Sequence, residues 1–340
     1  MQPDVSSLLD IRRTLQDSLE RAVDGHDDCA LLMFRDCDNF GDAAIWLGAL
    51  AMLAELRVSV RYSQPLYVLH PRALRSVVRD GPVLVNGGGS FGDIYRLTQR
   101  FLYRIIETFP ERRIVVLPQT VYFETASGLE EAKRVVGTHP DLVLMCRDHS
   151  SLETARAAFD CDVQLVPDLA FALGAQPAPP PPRERVLWLL RRDHEAVSGS
   201  GAGRDADVAR DWEDVFTAEP GRARRIRAEE LGYRALRRVV GVVPQAHAGA
   251  LFPLASARRL AAARVDAAYA LLAQGECVVT DRLHGHLLAT LVGRPSVVCD
   301  NRFGKVRSFF ETWTQSLPGT AWADTPAEVE AALDRLAPRH

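Results

Sequence analysis

The chain has 340 residues, more than one hydrophobic core usually supports, so two domains are expected. Apolar residues make up 47% and charged residues 25%, and a net charge of -3 lacks the basic excess of a nucleic-acid binder. No apolar run reaches the roughly 18 to 20 residues that span a bilayer, and the acid-rich first 28 residues hold no apolar signal core. A cytoplasmic location is therefore expected, with peripheral membrane contact and oligomeric state left open.

Residues 1–28 read as an amphipathic helix that covers the core or meets a partner. Residues 29–34 read as a buried strand, 43–56 as a helix, and 57–62 and 65–69 as short β-prone runs. Strands follow at 83–86, 113–120, 141–148 and 163–168. Ser150 and Glu153 have the spacing of a capping box that opens a helix running to about Phe159. Strands alternating with helices predict a parallel α/β sheet. Five prolines in 176–184 then mark a stiff linker. This divides the chain into a Rossmann-like domain at 1–177, a linker at 178–184 and a second Rossmann-like domain at 185–340.

The second half resumes with a strand at 185–193, followed by a Gly-rich, charged stretch at 194–230 that reads as a mobile insertion. Strands are expected at 239–244, 277–281 and 295–300, with helices at 257–275, 287–293 and 326–336. The six cysteines (Cys29, Cys37, Cys146, Cys161, Cys277 and Cys299) form no CxxC pair and read as small buried residues in a reducing compartment. Ligands of such folds bind at the carboxyl ends of the strands, in a central cleft between the two sheets.

Five motifs follow strands. Asn39-Phe40-Gly41-Asp42 opens a helix, where free backbone N–H groups favour an anion; Asn39 and Asp42 are candidates there, although Asp42 as a simple helix cap also fits. Gly87-Gly88-Gly89-Ser90-Phe91-Gly92-Asp93 lets a ligand approach the backbone at Gly88 and Gly89 and presents Asp93 to the cleft. It lacks both the dinucleotide fingerprint and the Walker lysine. Arg191-Arg192-Asp193 offers a guanidinium for a carboxylate or phosphate. Thr280-Asp281-Arg282-Leu283-His284-Gly285-His286 is the most specific. Arg282 and His284 lie two apart in a turn that feeds a helix, so a cation and a titratable imidazole can face one anionic substrate. Leu283 and His286 are placed with the substrate-binding residues, with a packed structural role for His286 left open. No third ligand completes a metal site with the two histidines. Asn301 and Lys305, after the last of these strands, suit phosphate or sugar.

In this order, NFGD, NGGGSFGD, LPQT, CRD, VPD, LLRRD and TDRLHGH resemble the polysaccharide pyruvyltransferase family over about residues 29–315, and DNRFGKVRSFFETW resembles its exopolysaccharide branch. The resemblance implies a fold like that of GT-B glycosyltransferases. It implies transfer of the enolpyruvyl group of phosphoenolpyruvate, a donor substrate rather than a cofactor, to a sugar of a cell-surface glycan or its lipid-linked precursor, giving a pyruvate ketal. It assigns functional roles to Asp93, Arg191 (Arg192 if the register slips by one), Arg282 and His284. In the mechanism this suggests, Arg191 and Arg282 hold the two anionic groups of the donor. His284 delivers a proton to the methylene carbon, and Asp93 takes a hydroxyl proton. The 194–230 stretch departs from the family pattern and leaves the acceptor open. Two other functions fit the sequence: a glycosyltransferase using a nucleotide sugar, and a non-catalytic sugar-binding relative.

Overall fold

The computed structural model describes residues 7–36, 39–193, 195–196, 209–242, 254–302 and 304–338. Helix α1 (Leu8–Val23) starts at Ser7, whose hydroxyl accepts from the Asp10 amide. Its buried Ile11, Leu15 and Leu19 recur every fourth residue, so the N-terminal segment covers the core.

Seven strands form the first sheet: β1 (Asp28–Phe34), β2 (Ser59–Pro65), β3 (Val83–Val85), β4 (Gly88–Gly92), β5 (Ile114–Tyr122), β6 (Leu142–Cys146) and β7 (Asp162–Leu165). Their order is β2-β1-β3-β5-β6-β7, with β4 also on β5, and every pair is parallel. The second sheet, in the order β11-β10-β9-β8, contains β8 (Glu184–Leu189), β9 (Gly275–Thr280), β10 (Ser296–Val298) and β11 (Thr320–Trp322), again parallel. β1, β3 and β6 are buried along their whole length, as expected of parallel strands covered by helices on both faces. This is a doubled Rossmann-like, GT-B-like α/β architecture.

Helices α2 (Phe40–Glu55), α3 (Pro71–Val77), α4 (Arg96–Thr108), α5 (Ala126–Val136) and α6 (His149–Ala158) belong to the first sheet. Helices α7 (Val215–Ala218), α8 (Pro220–Val242), α9 (Leu254–Leu272), α10 (Leu283–Leu291), α11 (Lys305–Phe309) and α12 (Pro326–Leu336) follow in the second half. One apolar core, holding Trp46, Leu169, Leu260, Leu287 and Trp313, continues from one sheet to the other. The proline segment is tied down by Gln176 N to Leu291 O at 2.8 Å and by Arg294 donating to the Pro180 carbonyl at 2.6 Å.

Four local expectations change. Residues 239–242 continue α8 rather than forming a strand. Ala223, Ile226 and Tyr233 of that helix sit in the core, and this anchoring outweighs the β preference of the valines that follow. Residues 243–244 of the expected strand lie outside the described residues, as do 194 and 197–208 of the expected insertion. The rest of that insertion, from 209 to 230, is packed structure that buries Trp212 and Val215. The cap of α6 is Asp148, which accepts from the Ser151 amide at 2.8 Å, so Ser150 lies inside the helix. Of the β-prone runs at 57–62 and 65–69, the first becomes part of β2, which ends at Pro65, and residues 66–69 of the second form a turn and loop.

The glycine motif also differs: Gly88–Gly92 is strand β4, laid along β5, rather than an open loop. Gly92 has φ +140°, and a Cβ there would lie 1.7 Å from the Tyr122 carbonyl oxygen. Gly92→Ala is expected to abolish the thermal transition or lower it severely. Gly293→Ala, at φ +73° with no neighbour within 4 Å, should cost only about 1–2 kcal/mol in a parallel melt.

Candidate active site

A cavity of about 490 Å³ opens at the carboxyl ends of both sheets. Arg35 follows β1, Asn39 and Asp42 open α2, and Gly89 lies on β4. Arg147 follows β6. From the second sheet come Arg191 after β8, Arg282, Leu283 and His284 after β9, and Asn301 and Lys305 after β10. Two non-glycine residues with positive φ flank it: Met33 (+69°) in a bulge of β1 and Tyr67 (+70°) just after β2.

The residue that organises the cavity is Asp168, which has no exposed surface. It accepts from Arg147 Nη1 at 2.8 Å and lies 3.3 Å from His284 Nε2. Burial alone would raise its carboxyl, but His284 and Arg147 outweigh burial and hold it far below the usual carboxylate range. On the other side of the imidazole is Gly41, where a Cβ would lie 2.3 Å from His284 Nδ1, so only glycine leaves room for the ring at the α2 N-terminus. Asn39 caps that helix, accepting from the Gly41 amide at 3.1 Å.

A second cluster surrounds Arg191. Its guanidinium meets Asp193 at 2.7 Å and Glu195 at 3.1 Å, and its amide donates to Asp281 Oδ1 at 2.9 Å. Glu195 also accepts from the Tyr95 hydroxyl at 2.8 Å and from Asn301 Nδ2 at 3.2 Å, and lies 3.5 Å from Lys305 Nζ. Burial would raise the Glu195 carboxyl, yet Arg191 and Lys305 lower it overall, while burial lowers the Lys305 ammonium. Arg282 pairs with Asp211, and its buried Nε has no hydrogen-bond partner among the described residues.

Four residues expected at the site lie outside the cavity lining. Asp93 turns away from the cleft: its carboxylate accepts from the Glu124 and Thr125 amides at 2.6 and 2.8 Å and from the Thr125 hydroxyl, so it serves as a turn anchor. His286 is fully buried between the Ser296 and Thr314 hydroxyls, both at 2.8 Å, and burial lowers its pKa to about 3. It packs the core as a neutral ring. Arg192 pairs with Asp214 at 3.0 Å beside the main cavity, which leaves Arg191 as the cleft-facing arginine. Gly88 does not line the cavity, although a Cβ there would lie 3.5 Å from Asp42 Oδ1. Arg35, Tyr95, Arg147, Glu195 and Trp212 also line the cleft, with Asp168 buried behind Arg147 and His284 and Asp211 in the adjoining pocket, and the motifs singled out none of these as site residues. The one signal available for Arg147 and Asp168 was their position at the ends of the strands in CRD and VPD. Among the described residues, no three His, Cys, Asp or Glu side chains gather in a group that would hold a metal.

The model of the polysaccharide pyruvyl transferase family matches residues 39–302, which contain most of this constellation. The chain belongs to that family. It is 30% identical over 286 residues to the putative pyruvyl transferase EpsO of Bacillus subtilis, covering 83% of this chain and 84% of that protein. It is 31% identical to pyruvyl transferase 1 of Schizosaccharomyces pombe, over 84% of this chain and 69% of that protein. A solved structure of an uncharacterised Klebsiella pneumoniae protein shares the fold, with a TM-score of 0.56 at 13% identity over 92% of this chain and 98% of that one. As a member of this family the protein is a transferase. No helix among the described residues is long and apolar enough to cross a membrane.

Behind the pyruvyl transferase cleft, burial raises the Asp281 carboxyl to about 6, partly offset by the Arg191 amide and by Arg282. The folded chain therefore binds this proton more tightly than the unfolded one. The associated stability is fully present below about pH 4 and disappears as pH rises through about 6, a difference of about 3 kcal/mol. Asp281→Asn keeps the acceptor for the Arg191 amide and removes the ionisation. It should match wild type in urea melts near pH 4 and exceed it by up to about 3 kcal/mol above pH 7.

Proposed function

We propose that the cleft transfers the enolpyruvyl group of phosphoenolpyruvate to a saccharide acceptor and closes a pyruvate ketal on two of its hydroxyls. One observation carries this reading: the pairing of a carboxylate-held imidazole with a surplus of cations in a single cavity. Six lining side chains are cationic (Arg35, Arg147, Arg191, Arg237, Arg282 and Lys305) and three are acidic (Asp36, Asp42 and Glu195), an excess of three positive charges on the lining itself, with Asp168, Asp193 and Asp211 pairing with Arg147, Arg191 and Arg282 from outside it. A small donor with a carboxylate and a phosphate suits that excess. Phe34, Leu66, Tyr67 and Trp212 supply apolar surface for the faces of a sugar.

Arg191, Arg282 and Lys305 hold the donor anions. Asp168 orients His284, which delivers a proton to the methylene carbon and makes it a methyl group, leaving cationic character on the adjacent carbon. The first acceptor hydroxyl adds there, phosphate departs with the C–O bonding pair, and the second hydroxyl closes the ring. Two hydroxyl protons leave while one is added to carbon. One of them restores the imidazole through a cleft carboxylate, Asp42 or Glu195, and the other leaves with phosphate.

The same fold serves nucleotide-sugar glycosyltransferases, so the donor is the point to test. Calorimetry should show saturable binding of phosphoenolpyruvate that is lost in Arg282→Ala. Nucleotide-sugar binding without phosphoenolpyruvate binding would refute the reading. His284→Ala should keep donor binding and lose turnover by roughly 10²–10⁴-fold. Asp168→Asn should lower kcat at least tenfold with a shifted pH–rate profile, since it removes the charge that orients the imidazole. An unchanged profile would rule out that positioning role.

A further inference from the structure

Helix α8 carries seven arginines and only two glutamates, within a chain whose net charge is -3. Both glutamates are engaged by the neighbouring helix α9, Glu229 with Arg259 at 3.1 Å and Glu230 with Arg264 at 2.7 Å. Arg222 and Arg225 meet Asp266, at 2.8 and 3.5 Å. The buried side of α8 is set by Ala223, Ile226 and Tyr233. On the adjoining flank, Arg224, Arg227, Leu231, Arg234 and Arg238 recur at spacings of three and four, so they share one stripe, and all five are exposed, with Arg227 also 5.8 Å from the Phe216 ring centroid. Among the described residues, no carboxylate lies within ion-pair distance of these four arginines. In the middle of the stripe, Leu231 is 70% exposed. Arg237 of the same helix lines the cavity, so the C-terminal part of α8 reaches the cavity wall.

We propose that this face of α8 docks on the surface of an anionic phospholipid bilayer. The arginines provide charge complementarity to lipid phosphates, and Leu231 enters the headgroup boundary as the apolar part of an interfacial helix. A soluble acidic polymer would satisfy the arginines but would leave an exposed leucine without a partner, which is why the bilayer is favoured. The contact would hold the cleft mouth at headgroup level, and it does not depend on which donor the cleft binds.

The test is sedimentation of the full-length protein with phosphatidylglycerol vesicles, and with phosphatidylcholine vesicles as the neutral control. Binding is expected for the anionic vesicles alone and should fall as salt rises. Each of Arg227→Gln and Arg234→Gln should weaken partitioning roughly fivefold. Both residues lie outside the cavity lining, so turnover of a soluble acceptor should persist. Leu231→Ser should weaken vesicle binding while leaving any binding to dextran sulfate unchanged. Failure to sediment with anionic vesicles at low salt would overturn the proposal. So would arginine variants that bind like wild type at an unchanged melting temperature. Vesicle binding indifferent to Leu231→Ser would also overturn it, in favour of a general polyanion site.

Discussion

Asp168 follows the last strand of the seven-stranded sheet, and through His284 it is tied to the turn that follows β9 in the four-stranded sheet. A fully buried carboxylate is tolerable only when its charge is matched, and Arg147, from the end of β6, supplies the match. The arrangement brings a guanidinium and an imidazole, from two other strand ends, within hydrogen-bond range of one carboxylate. Removing the carboxylate would strand a buried guanidinium and release the imidazole together, so charge burial and ring orientation form one constraint. Gly41 extends that constraint to α2, because the first turn of this helix and the imidazole occupy touching space.

The remaining cations of the cleft are held in the same manner. Arg191 and Lys305 share Glu195, Arg282 uses Asp211, and Arg35 lies 3.7 Å from Asp42. Each pair fixes a long side chain that would otherwise lose rotamer freedom on meeting a ligand. The acids also keep the cations from repelling one another in a poorly solvated cavity. What results is a set of guanidinium and ammonium groups fixed in place along the cleft wall, which is the preorganisation that anion chemistry requires.

The parallel α/β architecture, the strand ends and the TDRLHGH turn were legible because each rests on local signals: apolar runs, breaks and a polar turn feeding a helix. What stayed hidden depends on contacts distant in sequence. Asp93 ends a glycine-rich motif that reads as an open loop presenting it to the cleft. Whether Gly88–Gly92 opens toward a ligand or lies down as β4 is decided by β5, some thirty residues further on. The turn of His286 into the core is set by Ser296 and Thr314. Residues 239–242 have strand-like composition, yet the core contacts that anchor their helix come from earlier in it, at Ala223, Ile226 and Tyr233. Arg147 and Asp168 carry no motif beyond their strand ends, and they become a pair only when β6 and β7 lie side by side.

The backbone strain around the cleft follows from this geometry. Met33 is the extra residue of a bulge: Leu32 pairs with Gln64 and Phe34 with Pro65, so one residue of β1 has no counterpart on β2. A left-handed residue without glycine's freedom costs of order 1–3 kcal/mol, and Met33 and Tyr67 both adopt that conformation. They lie on neighbouring strand ends, immediately beside the lining residues Phe34, Arg35, Pro65 and Leu66, with Tyr67 itself in the wall. A regular β1 would alternate its side chains and turn Phe34 and Arg35 to opposite faces of the sheet. The bulge puts Leu32 and Met33 on one face and so changes the face on which Phe34 falls, while Arg35 lies past the last residue of β1, outside that alternation, and both line the cavity. The strain is therefore concentrated where it aims an aromatic ring and a guanidinium into one space, and the fully buried remainder of β1 supplies the packing that offsets it.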